Sequence, residues 1–179
     1  VSKNIEVKAR IPNFDELFQK VVRLADSGPM EILQDDTFFH CEAGRLKLRE
    51  TPGSSGELIF YRRSDQAEPK ESFYLRTPVS DSAALRDLLS LACGQVGRVV
   101  KQRTLFHIGR TRVHLDQVEG LGDFLELEVA LTAGETSESG VREAQRLMDL
   151  LGVEPYQLVE GAYVDLQVHQ DDQPQGKLR

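Results

Sequence analysis

Cysteine, long apolar runs and surplus positive charge are all scarce in this chain of 179 residues, and each scarcity removes a class of function. Cys41 and Cys93 stand alone, with no CxxC and no histidine at metal-ligand spacing, which argues against a disulfide framework and a structural zinc site. A reducing cytoplasmic setting is the expectation. No apolar run approaches the roughly 18 residues that span a bilayer, and the N-terminus has no apolar stretch of the signal-peptide kind, so a soluble protein without a membrane partner is expected. The formal charge of -7 has the wrong sign for non-specific nucleic-acid binding, so no nucleic-acid partner is expected. No segment repeats.

What is present suits one core: 40% apolar residues in a chain of single-domain length. The domain is expected over 1–168, with a polar, disordered tail over 169–179. Three stretches have helical periodicity: "PNFDELFQKVVRLADSG", with Asn13 as N-cap and Gly28 as stop; "SDSAALRDLLSLACG", ending at Gly94; and "SGVREAQRLMDLLG", ending at Gly152. Between them the period is 2, in "NIEVKAR", "GRLKLRE", "ELIFYRR", "KESFYLR", "VVKQRTLFHI", "TRVHLD" and "FLELEV". About eight strands with short connections, mostly antiparallel, and interspersed helices predict an α+β domain.

The polar faces of these strands are charged. Glu6 and Lys8 share one face; so do Arg45, Lys47 and Arg49; Lys101 and Arg103; Arg112, His114 and Asp116; and Glu126 and Glu128. Like charges about 7 Å apart at i and i+2 repel unless opposite charge lies among them. A closed barrel would gather them in one lumen. With Arg63 and Lys70 added, nine basic groups face four acids there, a net +5 inside a chain of net -7. A basic interior under an acidic exterior is an anion pocket. Its carboxylates then suit a hard divalent cation, Mg²⁺ or Mn²⁺, between Glu126 and Glu128, with Glu6 and Asp116 as further ligands or as supports.

The chain resembles the CYTH superfamily, the triphosphate tunnel metalloenzymes, through "NIEVKAR", "GRLKLRE", "LIFYRR…PKESFY", "VVKQRTLFHIGRTRVHLDQVEGLGDFLELEV" and "LLGVEPYQLVEGAYVDL", in the family's order. The likeness is strongest to the class IV adenylyl cyclase-like and thiamine triphosphatase-like branch. It implies a closed eight-stranded antiparallel β-barrel, the triphosphate tunnel, with helices packed outside. Position by position, it puts Glu6 and Lys8 in the ExExK signature, and Arg45, Lys47 and Arg49 on a phosphate-binding strand. It puts Lys101 and Arg103 in a second basic pair, Asp116 at the tunnel aspartate, and Glu126 and Glu128 in the metal-binding ExE. Asn4 stands where the signature has its first Glu, and an amide brings no negative charge to a metal. On the second strand, period 2 pairs Tyr61 with Arg63, but a one-residue register slip would put Arg62 inside instead.

Such a site needs charge neutralisation more than covalent chemistry. Lys101, Arg103 and Arg49 are the expected phosphate contacts, with Lys101, Asp116 and Arg103 as the catalytic set. His114 reads as a structural hydrogen-bonding group before a catalyst. Three activities remain open: hydrolysis of a triphosphate (inorganic tripolyphosphate, thiamine triphosphate or a nucleoside triphosphate), conversion of ATP to cyclic AMP by a class IV adenylyl cyclase, and non-catalytic polyphosphate binding. The resemblance also brings a homodimer within reach.

Overall fold

In the computed structural model, which describes residues 2–171, the period-2 segments are strands and they close on one another. The order along the chain is β1 (Ser2–Arg10), α1 (Phe14–Leu24), β2 (Ser27–Phe39), β3 (Arg45–Glu50), β4 (Gly56–Arg63), β5 (Lys70–Val79), α2 (Ser82–Cys93), β6 (Gln95–Ile108), β7 (Thr111–Val118), β8 (Gly122–Ala130), α3 (Ser137–Leu151), a 3-10 turn (Pro155–Gln157) and α4 (Tyr163–Asp171). The strands form a closed ring in the order β1-β5-β4-β3-β2-β6-β7-β8, with every neighbouring pair antiparallel. Closure leaves no edge strand to pair with another chain.

Strand alternation sorts the side chains into two environments. Ile5, Val7 and Ala9 of β1, Val113 and Leu115 of β7, and Leu125, Leu127 and Val129 of β8 point outward and are buried against Leu17 and Val21 of α1 and Ala144, Leu147, Met148 and Leu151 of α3. Each fully buried aliphatic side chain there contributes about 1.5–3 kcal/mol, so the polar partners at the intervening positions are driven into the ring. Asn13 caps α1 by accepting from the Glu16 amide, and Gly152 ends α3 in the left-handed conformation. Gly140 lets α3 approach β1: a Cβ at that position would lie 2.6 Å from Ile5 Cγ1.

Three features differ from the sequence reading. β2, thirteen residues long, escaped the period-2 search because its inward face mixes Ile32, Gln34, Asp36 and Phe38, so no clean apolar/polar alternation exists. Helix α2 buries no residue; Leu88 and Leu91 are exposed, so its apolar face covers little of the sheet. Residues 169–171 of the expected tail continue α4, while 172–179 lie outside the described residues.

Helix α4 and the loop before it close one end of the ring. Tyr163, Ala162 and Val164 pack with Phe38, Val99, Val118 and Phe124 in a second apolar cluster. Gly161, at a positive φ of 76° that favours glycine, turns its carbonyl toward Lys8 (3.2 Å) and Arg63 (2.8 Å). Among the described residues no helix is long and apolar enough to cross a membrane.

Candidate functional site

Inside the ring lies a cavity of about 260 Å³ to which all eight strands contribute. Eight basic side chains line it (Lys8, Lys47, Arg49, Arg63, Arg76, Lys101, Arg103, Arg112) against four acidic ones (Glu6, Asp36, Glu126, Glu128). Seven of the nine basic residues expected in the lumen are therefore there. Arg45 is turned to the closed end, bound to Asp165 (2.8 Å) and Asp65 (2.9 Å). Lys70 is buried, but its ammonium is spent on the Gln66 carbonyl and does not line the cavity. Arg63 faces inward, paired with Glu6, and Arg62 lies outside over the Phe73 ring, which settles the register of β4.

The basic groups are held in place by carboxylates behind them. Asp36 accepts from Lys47 (2.8 Å) and twice from Arg49 (2.7 Å each). Asp116, with no solvent exposure, accepts from Arg103 Nε (2.7 Å) and Nη2 (2.6 Å), from Lys101 (3.3 Å) and from the Tyr163 hydroxyl (2.9 Å). Burial alone would raise both carboxyls; the facing Arg and Lys charges outweigh it and hold both far below the usual carboxylate range. The lysines pay the opposite penalty. Burial, helped by the neighbouring Arg103, pushes Lys101 down to about 7, and burial beside Arg49 pushes Lys47 down to about 8. A polyanion entering the cavity would restore the protonated, cationic form of each.

Glu126 and Glu128 project from β8 into this basic surround. Arg103 (3.4 Å) and Lys8 (3.9 Å) approach Glu126, and Arg112 donates to Glu128 Oε2 from Nε (3.0 Å) and Nη2 (2.5 Å). Burial would raise the Glu126 carboxyl, but Arg103 foremost holds it well below the ordinary range. His114, on the adjacent strand directly opposite Glu126, completes a group of three whose ligand atoms lie within 4.8 Å of one another. Two carboxylates and an imidazole converging from neighbouring strands fit a divalent ion.

The four expected metal ligands do not gather as a set. Glu6 is committed to Arg63, and Asp116 lies beneath Arg103 and Lys101. His114 joins Glu126 and Glu128 instead. The sequence reading also missed Asp36, Gln34, Arg76 and Tyr163 as cavity residues. For Asp36 the mixed inward face of β2 hid the signal; for Tyr163 the signal was its place in the family-like stretch "LLGVEPYQLVEGAYVDL", since no periodicity could bring a helix at the far end of the chain to the cavity.

A search of curated proteins found no match to this chain. Solved structures do match. The PH1012 protein from Pyrococcus horikoshii OT3 superposes with a TM-score of 0.82 at 25% identity, over 91% of this chain and 98% of that one. A candidate adenylate cyclase from Vibrio parahaemolyticus gives 0.73 at 19% identity, over 92% and 97%. HpAC1 from Hippeastrum, a candidate adenylyl cyclase described as having a dominant triphosphatase activity, gives 0.66 at 14% identity, over 100% of both chains. The CYTH domain family model matches residues 2–163, the whole of the ring and the chain up to the start of α4, and the chain belongs to the CYTH family.

Proposed function

We propose that this chain is a metal-dependent triphosphatase that takes its substrate into the central cavity and hydrolyses the terminal phosphate. The observation that carries the reading is a cavity inside the closed ring in which Arg49, Lys47, Lys101, Arg103 and Arg112 converge on the same space as the Glu126–Glu128–His114 group. Polyphosphate and a divalent ion are the two ligands that this pairing suits. When bound, the ion would supply charge neutralisation and a polarised water.

The remaining work falls to the protein. Arg103 and Arg49 are fixed by bidentate pairing to Asp116 and Asp36, so their outward N–H groups are pre-aimed at phosphate oxygens and need little reorganisation when charge develops. Lys101 and Lys47 gain full charge as the anion arrives and can stabilise the departing diphosphate. Asp116 acts as a positioning residue: its oxygens are occupied by Arg103, Lys101 and Tyr163, leaving it badly placed to ligate the ion or to take a proton from water.

At about 260 Å³ the cavity accommodates a triphosphate with any organic group left toward the mouth, near Tyr74 and Arg76. The second reading is an adenylyl cyclase, the activity named for the Vibrio relative, whereas the dominant triphosphatase activity of the Hippeastrum relative supports the first reading. Incubation of ATP with Mg²⁺ or Mn²⁺ separates the two. Hydrolysis yields orthophosphate and ADP; cyclisation yields pyrophosphate and cyclic AMP, and that second pair of products would overturn the proposal.

A further inference from the structure

Within the ring, two buried polar atoms have no hydrogen-bond partner and flank the same carboxylates: His114 Nδ1 and Asn4 Oδ1. Both residues are only 4% exposed. An unsatisfied buried acceptor costs about 1–3 kcal/mol, so two beside one acidic pair indicate a missing electrophile. His114 Nδ1 lies 3.8 Å from Glu126 Oε1 and 3.8 Å from Glu128 Oε1. A histidine hydrogen-bonded to either would close to about 2.7–3.2 Å. The three ligand atoms nonetheless lie within 4.8 Å of one another, close enough for one ion to draw them together.

The other atoms in the group agree. Glu128 Oε2 is occupied by Arg112, and by Asn4 Nδ2 at 3.4 Å, which leaves Oε1 free to face His114. The same Asn4 contact orients its amide so that Oδ1 stays unpaired at the cavity wall. We infer that His114 is a nitrogen ligand of the ion held by Glu126 and Glu128, so that this chain selects Mn²⁺ over Mg²⁺. The inference deepens the triphosphatase reading and rests on its metal site. Mg²⁺ is hard and favours all-oxygen shells with several waters, so an imidazole adds little to its binding. Mn²⁺ accepts the same octahedral arrangement and gains from nitrogen. Asn4, neutral at the cavity wall beside Glu128, adds no negative charge near the ion, so the imidazole counts for more.

Pulsed electron paramagnetic resonance of Mn²⁺ bound to the whole chain, with and without tripolyphosphate, tests this without reference to turnover. Nitrogen modulation of the manganese signal is expected, and it should change character when the protein is made with ¹⁵N-histidine, a comparison that needs no variant. His114→Gln should remove the modulation and lower the Mn²⁺/Mg²⁺ affinity ratio by about tenfold or more. If Mn²⁺ binds, and the Glu126→Gln/Glu128→Gln variant loses it, but no nitrogen coupling appears, the inference is overturned and the metal site of the triphosphatase reading stands. If Mn²⁺ binds under neither condition, both fall together.

Discussion

Asp116→Asn probes the polar core most directly, because the substitution keeps the shape of the side chain and removes only charge. Asp116 is fully enclosed and takes two hydrogen bonds from Arg103, one from Lys101 and one from Tyr163. In the variant, the buried Arg103 guanidinium keeps one hydrogen bond to the amide oxygen and the 3.4 Å contact to Glu126, but faces no full charge at position 116, and the amide N–H₂ is turned against other donors. Breaking a buried pair from one side costs about 3–5 kcal/mol. For a domain of this size, each kcal/mol shifts Tm by about 2–4 °C, so a fall of about 6–20 °C is expected. Urea and thermal denaturation of both proteins give the value. Tripolyphosphate should raise the variant's Tm by more than the parent's, since the anion supplies the partner that Arg103 and Lys101 have lost. A loss below about 1 kcal/mol, or an equal rise in both proteins, would refute the view that Asp116 holds these cations for a polyanion.

Arg63→Ala should weaken tripolyphosphate binding by about tenfold or more in calorimetry, whereas Arg62→Ala, outside the ring, should leave it unchanged. Glu126→Gln with Glu128→Gln should abolish metal-dependent turnover while circular dichroism stays that of the parent, and undiminished turnover would remove the metal from these two residues. Asp36, Asp116 and Glu126 are all held below their ordinary values. The stability they confer is therefore complete above about pH 4.5, where the unfolded carboxyls are ionised, and is lost as pH falls through the lower folded values. A denaturation series that stays flat into strong acid would contradict this. Lys101, lowered to about 7, acts in the same direction at higher pH: between there and about pH 10.4 the unfolded chain holds a proton that the folded chain has released, so stability without ligand should rise with pH. Tripolyphosphate affinity should fall over the same range, with proton uptake on binding measurable by calorimetry in two buffers.

How far the amino-acid order revealed this arrangement varies by strand. β7 and β8 were plain: Val113, Leu115, Leu125, Leu127 and Val129 alternate with charged or imidazole-bearing residues, so both faces could be assigned before any coordinates. β2 was hidden because the inner wall of a small barrel carries apolar and polar residues together, and Phe38 and Ile32 share a face with Gln34 and Asp36. That omission took Asp36, the anchor of Lys47 and Arg49, with it. The partners of Asp116 were out of reach for another reason. Tyr163 arrives from α4, 47 residues further on, and only the closed ring brings the two together. Periodicity could place Glu6 and Asp116 on the inner face, but not say that Arg63 and Arg103 would occupy them.

One measurement reaches the centre of the account: the products formed from tripolyphosphate, thiamine triphosphate and ATP with Mn²⁺ or Mg²⁺, resolved into orthophosphate, pyrophosphate and cyclic AMP. The account predicts metal-dependent release of orthophosphate without cyclic nucleotide from at least one substrate, lost when the metal is chelated. Cyclic AMP as the product, or no turnover together with no effect of tripolyphosphate on Tm, would contradict it.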